Sequence, residues 1–264
     1  MRWWSNHLEN IIYFDRIDST HLHAIRMVEA GSVSEECVVV AKIQTNGVGR
    51  CNRKWVSEEG NLFASILKKP PVQDLGQLSL TAACAVREAL LGCISSVVGA
   101  EYTADHDQQL KLHWPNDVYY ANSKISGILM TKVDGWLIVS IGVNVNARPH
   151  NVGSATSLKA VLWGEATTKS IDTIDLLNRV LKSIGQWFHS LHSLGFSRAR
   201  NYWLRNINEI MCRVVIKNGN WSVDGVFQDI DDCGRLVLEK NGNRLFISSG
   251  DLFANQEGLV INHA

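Results

Sequence analysis

The sequence predicts an α+β fold, in which a sheet flanked by helices is followed by a small all-β unit. Short β-branched and apolar runs, such as residues 37–43, alternate with segments whose apolar residues recur at helical spacing. From about Met211 the pattern changes to short strand-like runs separated by Asn-Gly and Asp-Cys-Gly turns, which are hairpin signals in series. We therefore predict a large domain over residues 1–209 and a small β domain over residues 210–264.

Composition limits the class of protein. The 264 residues are 45% hydrophobic and 20% charged, which is typical of a globular chain. Lys plus Arg and Asp plus Glu both number 26, so the formal net charge is zero and no overall attraction to nucleic acid or an anionic membrane is expected. Any site for an anion must therefore be local.

Cysteine spacing and the lack of a long apolar run predict a cytoplasmic protein. The six cysteines show no C-x-x-C pair and no histidine partner at zinc spacing, which indicates reduced thiols. Residues 1–9 lack the apolar run of a signal peptide, and no 18 consecutive residues are apolar. We expect no membrane span.

The individual elements follow from apolar spacing, from helix-capping residue types and from turn signals. For the first half of the large domain we predict strand 11–14, a helix from Asp18 to Gly31, antiparallel strands 37–43 and 61–67, a helix from Asp74 to Gly92 and a loop over 99–109. For its second half we predict a strand over 110–119 that Pro115 stops or turns, strands 124–130 and 136–143, a loop over 147–155 long enough to act as a lid and a helix from Asp172 to Gly195. Residues 196–206 are predicted as a second helical or turn segment, rich in Arg, that serves as a solvated connector. For the small domain we predict strands 213–217, 223–229, 236–239 and 245–248.

The stretch over residues 44–55 is the strongest local candidate for an anion site. It follows a buried strand and brings together two glycines and three cations, Gly47, Gly49, Arg50, Arg53 and Lys54. Glycine lets a backbone approach a ligand closely, and N–H groups in such a loop can face an anion. The same composition is also typical of a polar surface loop, so these residues alone leave both interpretations open.

Polar residues are also predicted at the ends of three strands: Asn116, Asp117, Lys124, Gly142 and Asn144. The Trp-Pro-Asn-Asp corner holds an amide and a carboxylate at a rigid strand end, which is a position suited to a binding site. Two amides and one carboxylate beside one lysine do not form a metal cage. The Asp-Ser-Thr sequence before the first helix can cap that helix, and its spare hydroxyls can also face a ligand.

Taken together, these segments resemble the biotin protein ligases, in the family's order and over nearly the whole chain. The motifs that carry the resemblance are Asp18-Ser19-Thr20, Gln44-Thr45 before the glycine-arginine loop, Lys54-Trp55, Gly60-Asn61-Leu62, Trp114-Pro115-Asn116-Asp117, Lys124 with Gly127-Ile128-Leu129, Gly142-Val143-Asn144 and Ala155-Thr156-Ser157-Leu158. The resemblance implies the biotin/lipoate ligase catalytic fold, a mixed and mostly antiparallel sheet of the class II aminoacyl-tRNA synthetase-like type, with a small C-terminal Src-homology-3-like β-barrel.

The resemblance also implies a reaction. In this family the biotin carboxylate attacks the α-phosphate of ATP to give biotinoyl-adenylate and pyrophosphate. A lysine of a biotin carboxyl carrier domain, in acetyl-CoA carboxylase or a related carboxylase, then takes the acyl group as an amide. Neither step needs a nucleophile from the enzyme, whereas both need charge neutralisation and a water-poor pocket. ATP and magnesium are the implied cofactors, and biotin is the implied substrate.

Site residues are carried over from the resemblance as expectations. Biotin would be bound by Ser19, Thr20, Gln44, Gly47, Gly49, Arg50, Lys124 and Gly127. ATP would be bound by Arg50, Arg53, Trp55, Asn116, Lys124, Gly142, Val143 and Asn144. Lys124 would be the central cation and Arg50 would face the α-phosphate. Asp117 would bind magnesium, orient Lys124 or help to deprotonate the acceptor amine, and the sequence does not decide among these roles.

The loop, Gly47-Val48-Gly49-Arg50-Cys51-Asn52, departs from the family pattern, which commonly reads Gly-Arg-Gly-Arg-Arg-Gly or has lysine at its second position. Val48 removes one cation and Asn52 replaces one glycine. We expect the reaction to survive, because the other cations remain. Some family members carry an N-terminal DNA-binding domain, but only 17 residues precede Asp18. The expected partner is therefore a carrier domain and not DNA, and a homodimer is left open.

Two other functions fit part of the pattern. A lipoate or octanoate ligase shares the fold and the acyl-adenylate chemistry, and Lys124 would serve either reaction. The glycine-arginine loop and the Trp-Pro-Asn-Asp corner favour biotin over lipoate. A catalytically idle biotin-adenylate or nucleotide sensor would not need both Lys124 and Arg50.

Overall fold

The structure is a computed structural model of the 264-residue chain, and it describes residues 10–150, 152, 154–164 and 166–254. These residues form a seven-stranded sheet with helices on both faces, followed by a five-stranded sheet. Residues 1–9, on which the signal-peptide expectation depends, lie outside the described residues. So do positions 151 and 153 of the predicted lid.

The large sheet is mixed and mostly antiparallel, as expected. Its strands are β1 (Ile11–Ile17), β2 (Cys37–Gln44), β3 (Leu62–Lys68), β4 (Leu110–His113), β5 (Asp117–Tyr120), β6 (Ser123–Val133) and β7 (Trp136–Val143), in the spatial order β1-β2-β3-β7-β6-β5-β4. Within the described residues β1 and β2 run parallel, and every other neighbouring pair in this sheet is antiparallel.

Helices cover the two faces of this sheet. They are α1 (Thr20–Glu29), α2 (Leu75–Val98), α3 (Ala104–Gln109), α4 (Leu158–Trp163), α5 (Thr173–Leu194) and α6 (Ser197–Asn206). Successive strand residues point to opposite faces, so Val39 packs with α1 whereas Val38 and Val40 belong to the larger core, which contains α2 and α5. The segment Leu75–Glu101 is long and apolar enough to cross a bilayer, but 56% of its most apolar window is buried inside this core.

Three of the sequence-based expectations for the helices are wrong. The helix that begins after Asp74 was expected to end at Gly92, but it continues through Gly92 and ends at Gly99. Gly99 has a φ of 56°, a conformation that residues with a side chain rarely adopt. Burial of the surrounding turns offsets the roughly 1 kcal/mol that an interior glycine costs a helix. The predicted loop over 99–109 contains α3, which Arg87 anchors by donating to the Asp107 carbonyl oxygen at 2.7 Å and to its Oδ1 at 2.9 Å.

The third concerns residues 196–206, where the expected helical segment is present but the expectation that it is a solvated connector is wrong. Residues 197–206 form α6, which buries Ala199 and Trp203 against the core. The indole Nε1 of Trp203 donates to the Leu80 carbonyl oxygen at 2.7 Å. The arginines that indicated a solvated segment lie at other positions of this amphipathic helix. Packing against the core therefore buries one face of the segment, which its local composition did not indicate.

The second sheet contains the predicted hairpins and one further strand. Its strands are β8 (Arg213–Asn218), β9 (Trp221–Ile230), β10 (Leu236–Lys240), β11 (Asn243–Ile247) and β12 (Asp251–Ala254), all antiparallel in the order β11-β10-β9-β8-β12. This small β domain is consistent with a Src-homology-3-like barrel. Strand β12 has four residues and was missed because so short a run carries no alternation signal. Its Leu252 is buried in the same core as the large domain.

Candidate active site

A cavity of about 280 Å³ opens beside the ends of β5, β6 and β7 and under the loop that follows β2. Most of the residues predicted to bind biotin, ATP or magnesium line it: Ser19, Thr20, Gln44, Gly49, Arg50, Arg53, Trp55, Asn116, Asp117, Lys124, Gly127, Gly142 and Asn144. These residues come from five separate segments of the chain. The fold therefore brings the predicted site residues together in one place.

Two predicted residues do not line this cavity. Val143 is fully buried in the core, because alternation along β7 turns its side chain away from the neighbouring Gly142. Gly47 is buried beneath the loop, where a Cβ atom would lie 2.6 Å from the Trp55 carbonyl oxygen and 3.1 Å from Gln44 Nε2. Gly47 thus leaves room for Gln44, which itself faces the cavity.

The glycine-arginine loop is a compact turn. The backbone N–H of Gly49 donates to the Arg53 carbonyl oxygen at 2.7 Å. At the tip, Cys51 and Asn52 have φ angles of 53° and 57°, in the left-handed region. Asparagine tolerates that region better than most residues, so Asn52 can replace the family's glycine while the turn is kept.

The arginines of this loop bind groups from other elements. Arg50 Nη1 donates to the Asn116 side-chain oxygen and to the Gly250 carbonyl oxygen, both at 3.2 Å. Arg53 forms a two-bond ion pair with Asp251, at 3.0 Å and 2.8 Å, and this hydrogen bonding raises the pKa of Arg53. Sequence reasoning missed Asp251, because it lies in the small domain 198 residues from its partner.

Trp55 lies on a surface formed by two glycines. Gly127 of β6 and Gly142 of β7 are direct cross-strand neighbours. A Cβ atom on Gly142 would come within 2.6 Å of the indole, and one on Gly127 within 3.0 Å. Only glycine at these positions allows the ring to lie flat on the sheet. Its buried Nε1 has no hydrogen-bond partner among the described residues, which leaves a donor available to a ligand.

Lys124 and Asp117 form the charged centre of the cavity. Lys124 Nζ lies 2.5 Å from Asp117 Oδ2 and 5.5 Å from the centre of the Trp55 ring. The backbone of Lys124 is fixed on both sides, because its N–H donates to the Ser154 carbonyl oxygen and its carbonyl oxygen accepts from Thr156. A lysine held in this way presents a positive charge at a set position, which suits an anionic ligand.

The opening of α1 both caps the helix and faces the cavity. Ser19 Oγ accepts the Leu22 N–H as the N-cap of α1. The Thr20 N–H and hydroxyl both donate to Gln44 Oε1, at 2.8 Å and 3.1 Å, while Gln44 Nε2 donates to Ser57. The two interpretations of the Asp-Ser-Thr motif are therefore compatible.

Two polar residues of the lining were not found from the sequence, His21 and Ser140. The His21 ring bonds to Ser140 Oγ at 2.7 Å and to Thr131 Oγ1 at 3.1 Å, and burial lowers the pKa of His21 to about 4. A serine in the middle of the apolar run of β7 was the available signal. The other lining residues, which were not expected to bind biotin or ATP, are mostly apolar: Val48, Lys54, Val56, Ile128, Leu129, Ile141, Pro149, Val152 and Ala155. Lys54 was predicted only as a cation of the glycine-arginine loop.

A cluster of three or more histidine, cysteine or carboxylate side chains placed to hold a metal ion is absent from residues 10–150, 152, 154–164 and 166–254. Asp117 can offer a single ligand. Its Oδ2 bonds to Lys124, whereas its Oδ1 is buried without a partner in the described chain. Magnesium needs few protein ligands when a nucleotide supplies phosphate oxygens, so this donor fits magnesium bound to ATP.

Comparison with known proteins defines the class. The model of the biotin/lipoate A/B protein ligase family matches residues 13–146, which include β2 to β7 and all the residues that were expected to bind biotin or ATP. The chain belongs to this family. The biotin--[acetyl-CoA-carboxylase] ligase of Paracoccus denitrificans is 29% identical over 90% of this chain and 98% of its own length. The bifunctional ligase/repressor of Bacillus subtilis is 30% identical over 92% of this chain and 74% of its own length.

Solved structures agree with this class. The biotin protein ligase from Aquifex aeolicus in complex with biotin and ATP superposes with a TM-score of 0.76 and 30% identity, covering 94% of this chain and 99% of that chain. The expected biotin protein ligase resemblance and fold class are thereby confirmed.

Proposed function

We propose that the chain is an ATP-dependent biotin protein ligase. It activates biotin as biotinoyl-adenylate and transfers the biotinoyl group to a lysine of a biotin carboxyl carrier domain in acetyl-CoA carboxylase or a related carboxylase. The observation that carries this proposal is the convergence of Lys124, Arg50 and Arg53 on one cavity that also contains Thr20 and Gln44. Relatives named for this reaction align along almost the whole chain, which supports the proposal.

The first step depends on charge neutralisation. Biotin binds with its ring system toward Thr20 and Gln44 and its carboxylate toward Lys124. When the carboxylate oxygen attacks the α-phosphorus, negative charge builds on the α-phosphate and the bond to pyrophosphate breaks. Lys124 and Arg50 stabilise this charge because they are fixed in place before the reaction begins.

Arg53 has a different position at the start of this step. It is already paired with Asp251, so it can contact pyrophosphate only if a phosphate oxygen replaces a carboxylate oxygen. Both side chains are partly exposed, so the exchange costs little free energy. Asp251 therefore holds the loop near the cavity until the nucleotide arrives.

The second step transfers the acyl group. The amine of the carrier lysine attacks the carbonyl carbon of the mixed anhydride, an amide bond forms and AMP leaves. Asp117 orients Lys124 through the 2.5 Å contact, and its second oxygen is available for magnesium or for a proton of the amine. The indole of Trp55 shields one side of the intermediate from water, which protects the anhydride from hydrolysis.

The proposal is tested with purified protein, biotin, ATP, magnesium and a carrier domain, using intact-mass spectrometry. The carrier is expected to gain one biotinoyl group on one lysine, and a carrier with that lysine replaced by arginine should gain none. Transfer of lipoate or octanoate in place of biotin would remove the biotin assignment. Adenylate formation without transfer to a verified carrier would instead indicate a sensor.

Three further points belong to the proposal. A cytoplasmic location is supported by the six cysteines, all of which are free thiols in the described chain. The zero net charge supports a carrier domain, and not DNA, as the partner. A division between residues 1–209 and 210–264 is supported by the separate sheets, and homodimer formation stays a prediction.

A further inference from the structure

Beneath the cavity floor, a continuous row of hydrogen bonds joins five side chains. Gln44 Oε1 contacts Thr20 Oγ1 at 3.1 Å, and Thr20 Oγ1 contacts Ser65 Oγ at 2.9 Å. Ser65 Oγ contacts Ser140 Oγ at 2.8 Å, and Ser140 Oγ contacts His21 Nδ1 at 2.7 Å. Ser65 is fully buried, whereas Thr20, Gln44, His21 and Ser140 line the cavity.

Proton counting fixes the direction of every bond in this row. The Thr20 backbone N–H donates to the Gln44 amide, so the amide atom on that side is the oxygen and the Thr20 hydroxyl must donate to it. A hydroxyl has one proton, so Ser65 must donate to Thr20. For the same reason Ser140 must donate to Ser65.

The end of the row is the imidazole. Because the Ser140 proton is directed to Ser65, the Ser140 oxygen can only accept from the ring, and His21 Nδ1 must carry a hydrogen. Burial lowers the pKa of His21 to about 4, so the ring is neutral near pH 7 and Nε2 is unprotonated. Nε2 then accepts the hydroxyl proton of Thr131, at 3.1 Å.

This direction has a consequence for the cavity. Thr20 Oγ1 and Ser140 Oγ have each donated their proton and accepted one, and each retains one free lone pair. Both residues line the cavity, so their hydroxyls can accept from a ligand but cannot donate to it. A cyclic urea offers N–H donors to such oxygens, whereas a dithiolane ring has none.

We propose that His21 is a positioning residue: its Nδ1–H donates to Ser140 and so completes, at the far end, the hydrogen-bond direction that Gln44 sets at Thr20, which makes the cavity floor selective for ligands with N–H donors. This inference rests on the proposed function and adds its source of selectivity. His21 does not contact the reacting carboxylate. It acts through Ser140 and Ser65, on the side of the ligand away from Lys124.

The tautomer gives a direct test. In protein labelled with ¹⁵N at histidine, two-bond ¹⁵N–¹H correlation spectra distinguish a ring protonated at Nδ1 from one protonated at Nε2. The His21 signals are assigned by their loss in His21→Asn. We expect protonation at Nδ1 alone at pH 7. A ring protonated at Nε2 alone, or at both nitrogens, would overturn the proposed direction.

Binding tests the selectivity. His21→Leu removes the donor to Ser140, so the Ser140 hydroxyl can turn its proton toward a ligand, and it is expected to weaken biotin binding roughly tenfold by calorimetry without ATP. His21→Asn keeps an N–H donor on the atom attached to Cγ and should restore most of the affinity. The matched control is His23→Leu, in the same helix, because His23 packs on Phe14 and does not line the cavity.

A second ligand separates positioning from a packing defect. Biotin methylated on its urea nitrogens cannot donate, so the wild-type protein should discriminate strongly against it. His21→Leu should reduce that discrimination, whereas a packing defect would weaken both ligands equally. Equal discrimination by the wild type and His21→Leu would overturn the inference. Failure of the wild type to bind biotin would overturn the proposed function instead, and the tautomer spectrum would remain interpretable.

Discussion

Arg53 in the glycine-arginine loop and Asp251 at the start of β12 form a two-bond ion pair, with Nη2 to Oδ1 at 2.8 Å and Nη1 to Oδ2 at 3.0 Å. The residue before Asp251 supports the same loop, because the Gly250 carbonyl oxygen accepts a hydrogen bond from Arg50. The small domain thus holds the loop that covers the active-site cavity. The position of the glycine-arginine loop therefore depends on its contact with the small domain.

Asp251→Asn tests this coupling. An amide keeps one acceptor oxygen but loses the charge and the second bond to Arg53, so the loop should open more often. Trypsin cleavage after Arg50 or Arg53 in the absence of ligand should become several-fold faster. Global stability should change by less than about 1 kcal/mol, because the pair is partly exposed. The matched control Asp224→Asn breaks pairs within the small domain and should leave loop cleavage unchanged.

Lys124→Ala removes the central cation and should lower adenylate formation by roughly 100-fold to 1,000-fold, the effect of losing a preorganised charge at a developing anion. Pyrophosphate release in the presence of biotin and ATP measures this step. The circular dichroism spectrum should match that of the wild type. Lys182→Ala, on an exposed position of α5, is the control for loss of a lysine. Near-normal pyrophosphate release by Lys124→Ala would contradict the role assigned here.

Arg50→Gly should release the intermediate. Arg50 joins the loop to Asn116 and to the small domain, and its removal eliminates both contacts as well as a cation at the α-phosphate. Free biotinoyl-adenylate should then label lysines of an unrelated protein, such as serum albumin, added to the reaction. Labelling is read by avidin blot. If the carrier alone is labelled, Arg50 does not retain the adenylate.

Gly142→Ala should displace Trp55, because a Cβ atom at residue 142 would lie 2.6 Å to 2.8 Å from three indole atoms. We expect kcat/KM for ATP to fall by about tenfold or more, as expected when a positioned group is shifted. Gly92→Ala is the control, since its Cβ would meet only the Arg179 guanidinium at 3.5 Å. The effects of Trp55→Ala and Gly142→Ala on kcat/KM should be non-additive in the double variant, because both act on the position of the same ring.

Stability should fall at mildly acidic pH because of His21. Burial lowers the pKa of His21 in the folded state from 6.5 to about 4, so the unfolded chain binds more protons between these values. This contribution to stability is fully present above pH 6.5 and is lost as the pH falls toward 4, by roughly 3 kcal/mol in total. Urea unfolding of the wild type and His21→Asn at several pH values measures it. Parallel pH profiles would contradict the prediction.

Local sequence signals predicted the parts of the site that local chemistry controls. The caps Ser19, Asp74 and Asp172 begin helices, and the corner at Pro115 joins β4 to β5. The glycine-arginine loop and the strand-end residues lie in one cavity because each follows or ends a strand of the same sheet. These features depend on residues close in the chain, which is why the sequence predicted them.

Other features depend on distant partners and could not be predicted. The resemblance implied that Gly127 and Gly142 bind ligands, but their contact with Trp55 depends on the register of β6 and β7, which places the two glycines side by side. His21 looks like one more residue of a helix until Ser140, 119 residues later, meets its ring. Strand β12 carries too few residues to be recognised, yet it supplies Asp251.

The distance along the chain between Arg53 and Asp251 has a consequence for synthesis. A ribosome makes the glycine-arginine loop 198 residues before it makes the carboxylate that holds the loop in place. Until β12 has emerged and paired with β8, the nascent chain has every cation of the catalytic centre but lacks the contacts from Gly250 and Asp251 that hold the loop. A chain that stops short of β12 should therefore carry a nearly complete active site that leaks its reactive intermediate.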